Sequence, residues 1–371
     1  MVYKAYATIV SAAKPGPWHS YPFIIFAAMF RPLPAILSIL CFTQAQAQLL
    51  PSYGDSRTAT TGWQFLKIAP DARSAGMSEA FLAVVDDISS LYWNPAGLTQ
   101  LDSNHLHAGV HYTDYAAGTN LNFAGISYRL GDNTLLGVSL QYFDAGEMDV
   151  TTEFMPFGTG QTFRASNTGI GVSLARELTD QFSFGVTAKY VREDLATVHN
   201  QNVIFDFGFQ YDIGIQNTRF AVAITNFGFN TQPGGDIAVM TLQDSTTATQ
   251  FTEIGVPTVF RLGFAWDAIK QDKHVLTAAF QLNHPTDNNE TYSLGVEYRW
   301  KQLLYARTGY TFATDRAAMP AFGFGTYLRR HYGHIRFDYG FQFDIVLGSI
   351  NKIGLAYTLP NGLGKQQNTA R

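Results

Sequence analysis

His105, His107 and His111 fall at even spacings, so on a β-strand their imidazoles share one face. Side chains two residues apart lie near enough to share a metal ion, and imidazole is a common zinc ligand. The sequence offers them little help. The single cysteine is the distant Cys41, and no carboxylate partner is readable beside them. Polar lining of a strand face is the better account, and neither a metal site nor any other cofactor is expected. Covalent catalysis would need a nucleophile with a placed base. No Gly-x-Ser-x-Gly, His-Glu-x-x-His or phosphate-binding loop occurs, so the expected protein is not an enzyme.

A second set of charged residues falls on that same kind of face: Arg129, Lys189, Asp206, Arg261, Glu297, Arg299, Arg307, Arg336 and Asp338. Their mixed signs suggest mutual pairing, because an unpaired buried charge is costly. A network around Arg336 and Asp338 is expected.

The elements that must carry these residues are strands. From Asn104 onward the chain alternates with period two. Phe182, Phe184, Val186, Ala188 and Tyr190 oppose Ser183, Gly185, Thr187 and Lys189; Ile335, Phe337, Tyr339, Phe341 and Phe343 oppose His334, Arg336, Asp338, Gly340 and Gln342. Cutting at turn residues gives about fourteen strands of roughly nine to twelve residues, the length that crosses a bilayer when tilted. Short connections such as Gly131-Asp132-Asn133 and Lys301-Gln302 alternate with long ones, notably Asp144 to Asn167 and Gly228 to Pro257. The prediction is a transmembrane antiparallel up-and-down β-barrel with both termini on the periplasmic side.

Composition agrees. The 371 residues are 46% hydrophobic and 15% charged, with 29 Phe, 19 Tyr and 33 Gly, yet mean hydropathy is only -0.04. That near-zero average excludes a helical membrane bundle, the aromatic content excludes disorder, and the net charge of -4 excludes a basic nucleic-acid binder. A water-facing sandwich would carry Lys and Glu where this chain has Ser, Gly and Thr. Tyr128, Tyr142, Tyr190, Tyr211, Tyr298, Trp300 and Tyr357 mark the ends of apolar stripes, as interfacial girdles do.

Residues 1–47 are expected to be a signal peptide whose true start is Met29: Arg31 is the positive region, Leu33 to Phe42 the apolar core, and Ala45-x-Ala47 the cleavage site. Cleavage removes Lys4, Lys14, Arg31 and Cys41, leaving a more acidic chain without cysteine. The organisation expected beyond it is an N-terminal periplasmic segment and hatch over 48–103, a barrel over 104–359 and a polar tail over 360–371.

Between signal and barrel lies a stretch without strand alternation: Phe65-Leu66-Lys67-Ile68, then Ala72-Arg73-x-Ala75-Gly76-Met77, then Trp93-Asn94-Pro95-Ala96-Gly97. Its Asn94-Pro95-Ala96 resembles the hatch motif of the FadL-like outer-membrane proteins. The fuller run resembles the PorV/PorQ family within that superfamily. Lys352-x-Gly354-x-x-Tyr357-x-Leu359 resembles the C-terminal signal read by barrel-assembly machinery. The resemblance implies a bacterial outer-membrane protein of a Bacteroidetes-like cell, acting in type IX secretion. It would bind the C-terminal signal domains of cargo, or partner proteins of the secretion apparatus, for export and surface attachment.

Two uses of the barrel follow. Met148, Phe154, Met155 and Phe157 put apolar side chains in a long loop, as partner surfaces do; a loop folded on itself as a cap is the competing account. Alternatively, a FadL-like channel for hydrophobic small molecules such as long-chain fatty acids needs an apolar pocket under the hatch, with Phe65, Leu66, Phe81, Leu91 and Trp93 as candidates.

Overall fold

The computed structural model describes residues 60–101, 106–240, 245–313, 320–330 and 332–359. The expected signal peptide, His105 and the polar tail lie outside them. Fourteen antiparallel strands close into a barrel: β1 (Leu106–Asp114), β2 (Asn120–Arg129), β3 (Thr134–Asp149), β4 (Thr162–Thr179), β5 (Phe182–Leu195), β6 (Val198–Asp212), β7 (Arg219–Phe227), β10 (Val259–Lys270), β11 (His274–Pro285), β12 (Thr291–Trp300), β13 (Leu304–Ala313), β14 (Ala321–Arg330), β15 (Gly333–Asp344) and β16 (Gly348–Leu359). Each pairs with its neighbour, β16 pairs with β1, and β8 (Ile237–Met240) with β9 (Ser245–Ala248) forms a separate hairpin in the β7–β10 connection.

The two-residue rhythm sets which way each strand faces. Val110, Tyr112, Ile126, Val138, Leu140, Ile170 and Val172 lie exposed on the outer wall, whereas Ser127, Ser139, Ser173, Thr187, Gln210 and Glu297 point inward and are buried. Outer apolar residues meet lipid, so their exposure is the stabilising arrangement rather than a cost.

Two sequence boundaries are corrected. The stretch from Asp144 to Asn167 is mostly strand: β3 and β4 continue past a bulge at Asp144 and Glu147, and the true loop is only residues 150–161. Likewise β5 and β6 continue to a tight turn at Ala196 and Thr197. The reason is physical. Above the apolar band the outward positions need not be greasy, so Arg164, Ser166, Arg192 and Gln201 stand there and break the alternation while the backbone ladder runs on. The strict alternation of short and long connections fails with it, at this turn and at residues 345–347 between β15 and β16.

Inside the barrel, residues 60–101 form a mostly buried segment with two short helices, α1 (Ala72–Gly76) and α2 (Ser90–Trp93). Its direction can be followed. Thr61 bridges Gly255 in the β7–β10 connection, at what we term the far end, while the Leu101 carbonyl accepts from Arg129 at the near end, where Leu359 also lies. The segment therefore threads the lumen from the far mouth to the near one.

Candidate functional site

The plug and wall fit because wall residues that face the plug are small. A Cβ on Gly185 of β5 would lie 2.5 Å from the Pro95 carbonyl carbon, and one on Gly208 of β6 would collide with Asn94 Oδ1. Gly185 and Gly208 are direct cross-strand partners, so they form one flat patch under the Asn94-Pro95-Ala96 turn. Within that turn Asn94 accepts from the Ala96 amide at 3.1 Å and donates to the Phe209 carbonyl at 3.3 Å. Gly97 packs on Val85 and Ser90. Across the barrel, Gly76 meets the backbone of Gly323. Asn94, Pro95 and Ala96 thus form a packing joint between the plug and the wall, while Gly97 packs within the plug.

Asp71 organises the plug itself. It caps α1 through the Ser74 amide at 2.7 Å and accepts from the Trp93 indole at 2.7 Å, tying α1 to α2. Arg261 lies over the Tyr92 and Trp93 rings at 5.3 and 4.7 Å.

The expected charge network exists and extends into the plug. Arg73 pairs with Asp86, with Asp87 at 3.0 Å and with Glu297 at 2.9 Å. Arg307 bridges Glu297 at 2.6 Å and Asp338 at 2.8 Å; Arg336 donates to Asp338 at 2.8 Å. On the opposite wall Lys189 pairs with Asp206 at 2.5 Å. The sequence left Arg73, Asp86 and Asp87 out of the network, although Asp-x-x-Ser at Asp71 to Ser74 is a readable capping signal.

His107 and His111 are buried on the inner face of β1, and no group of metal-ligating residues occurs among the described residues. Of the assembly-signal residues on β16, Lys352 points inward and donates to the Ala69 carbonyl at 2.7 Å, Gly354 faces His111, and Tyr357 and Leu359 are exposed outward.

At the far mouth an open cavity of about 630 Å3 lies over the plug, bordered by Phe65, Ile68, Glu79, Glu193, Asn288 and Lys352 among others. Beside it, Thr61, Gln64 and Lys67 all bond to Asp287 in the β11–β12 connection, with Lys67 at 3.0 Å. Burial opposes ionisation of this carboxyl, but those donors prevail and hold it below the usual carboxylate range.

Of the residues placed under the hatch, Phe81, Leu91 and Trp93 belong to one apolar cluster and Phe65 and Leu66 to another; the hollow bordered by Leu66 and Leu91 is about 10 Å3. Among the loop candidates, Phe154, Met155 and Phe157 stand on the 150–161 connection, with Phe154 84% and Phe157 99% exposed. The loop is a small hairpin of its own: the Val150 amide bonds the Gln161 carbonyl, and Thr152 and Met155 exchange backbone bonds. Met148 lies in β3, opposite Phe163.

A family model described as type IX secretion system protein PorV matches residues 52–286. The chain belongs to the PorV family. Among curated proteins no sequence matches this PorV-family member. Solved structures similar to it include the CymD monoaromatic hydrocarbon channel, at 15% identity, covering 79% of this chain and 97% of that one with a TM-score of 0.56. A Pseudomonas aeruginosa FadL homologue matches at 13% identity over 78% and 98% with a TM-score of 0.55; the Ralstonia pickettii toluene transporter TbuX matches at 14% over 77% and 98% with 0.51. At such identities the likeness is one of fold. This PorV-family chain is an outer-membrane β-barrel of FadL-like architecture.

Proposed function

We propose that this barrel is a non-enzymatic docking protein of type IX secretion, binding the C-terminal signal domains of cargo or partner proteins of the apparatus at its far end for export and surface attachment. The observation that carries the reading is the β3–β4 hairpin. It raises Phe154, Met155 and Phe157 on a hydrogen-bonded tip, and aromatic side chains left this exposed stabilise nothing within the chain. Family membership supplies the class of partner. Replacing Phe154 and Phe157 with Ser should leave the barrel folded and abolish both co-purification with cargo and its surface delivery. Unchanged cargo release would refute the reading.

The fold likeness to hydrocarbon channels favours a second reading, passage of a hydrophobic small molecule. Against it stand the filled lumen and the uninterrupted ladders from β1 through β2 to the Asp144 level of β3. Uptake of a labelled long-chain fatty acid by cells expressing the protein, above that of vector controls, would restore it.

A further inference from the structure

We propose that the near end of the barrel holds a binding site for a phosphate-class oxyanion, in a cavity of about 130 Å3 below the plug. Arg299 of β12, Arg329 of β14 and Arg336 of β15 all border it, brought together because their strands are close neighbours and their positions share the inward parity.

The carboxylates bordering the same space are already engaged. Asp86 and Asp87 are held by Arg73, and Asp87 also accepts from the Ser89 amide at 3.0 Å and from its hydroxyl. Arg336 spends its Nε on Asp338 and reaches Asp87 and Asp86 only loosely, at 3.7 and 4.0 Å. Its Nη2 is buried with no hydrogen-bond partner among the described residues, and so is Nε of Arg299. Neither Arg299 nor Arg329 has an ion pair among the described residues, and Arg329 has only the Tyr327 ring, at 5.4 Å.

Buried guanidinium donors without acceptors are rare in folded proteins and call for an occupant. Water could accept from them but would leave the positive charge unbalanced. An oxyanion answers both needs, since guanidinium forks match phosphate oxygens two at a time. The cavity has room for a phosphate and a few waters, each occupying roughly 30 Å3, and is far smaller than the ~300 Å3 at which organic-ligand pockets begin. The same chemistry could come from free phosphate or from a lipid headgroup entering the near mouth.

The test uses the full-length protein and inorganic phosphate. In phosphatidylcholine vesicles, titration calorimetry should show saturable one-to-one binding that weakens at least ten-fold in an Arg299→Gln/Arg329→Gln double variant. These two residues make no ion pair among the described residues, so the plug network stays intact and heat-modified gel mobility should match wild type. An Arg164→Gln control at the far end should bind as wild type. In vesicles containing one-fifth phosphatidic acid, loss of phosphate binding in wild type identifies a lipid headgroup as the occupant, and retention identifies free phosphate. Absence of saturable binding in phosphatidylcholine vesicles, or equal binding by the double variant, overturns the proposal.

Discussion

Gly208 and Arg73 show two ways in which one residue can seat a plug. At Gly208 the constraint is steric: there is no space for a methyl group against Asn94. Gly208→Ala should lower the unfolding free energy by about 1–3 kcal/mol, the usual cost of overpacking. The readout is the urea dependence of the folded barrel's gel mobility. Gly131 is the control, because a Cβ there meets nothing within 4 Å and Gly131→Ala should be neutral. At Arg73 the constraint is electrostatic. Arg73→Met would take the close partner from Asp86 and Asp87 and leave Glu297 to Arg307 alone, costing about 3–5 kcal/mol, whereas Arg73→Lys keeps the charge, loses the two-pronged bond to Glu297 and should cost less. Protease sensitivity of the plug reports both. These roles were unequally legible. Alternation placed Glu297, Arg307, Arg336 and Asp338 inside because parity is a local property. Arg73 sits in a segment without periodicity, so no pattern tied it to strands more than two hundred residues away.

At the scale of elements, the strands were legible wherever lipid imposed a pattern and illegible where it did not. Fourteen barrel strands followed from alternation, but the upward extensions of β3 to β6 did not, since their outward residues face no lipid. That correction changes what the loop is. A short hairpin on a raised two-stranded arm presents its tip at a fixed place, which a long slack loop would not. The clasp of Thr61, Gln64 and Lys67 on Asp287 is the other far-end element. Asp287 ionises more readily in the folded state than in the unfolded chain, so its stabilisation is fully present above the unfolded value of about 3.9 and is lost as pH falls through the lower folded value. Hydrogen-exchange protection factors at Gly62 to Lys67, taken against the intrinsic rate at each pH, should be high at neutral pH and fall under strong acid. In Asp287→Asn protection should be lower at neutral pH and lose that dependence.

For the whole molecule the decisive question is whether the plug must move. Its packing runs around the barrel, apolar and glycine-tight against β1 to β6 and both glycine-tight and ion-paired against β12 to β15, so displacement would break both kinds of contact at once. A docking protein has no need to pay that; a lumenal channel does. Ala83 in the plug and Gly263 on β10 allow the two cases to be separated, because a Cβ on Gly263 would lie 3.4 Å from that of Ala83, just under the spacing of a disulfide, and 2.9 Å from that of Leu82, which must shift to admit it. Cys41 is the sequence's single cysteine, so Ala83→Cys/Gly263→Cys in a Cys41→Ser background has no competing thiol. The oxidised protein should deliver cargo to the surface as wild type does, with reductant making no difference. Delivery that fails when oxidised and recovers on reduction would mean that function runs through a moving plug, and the far-end hairpin would then be accessory to a path through the lumen.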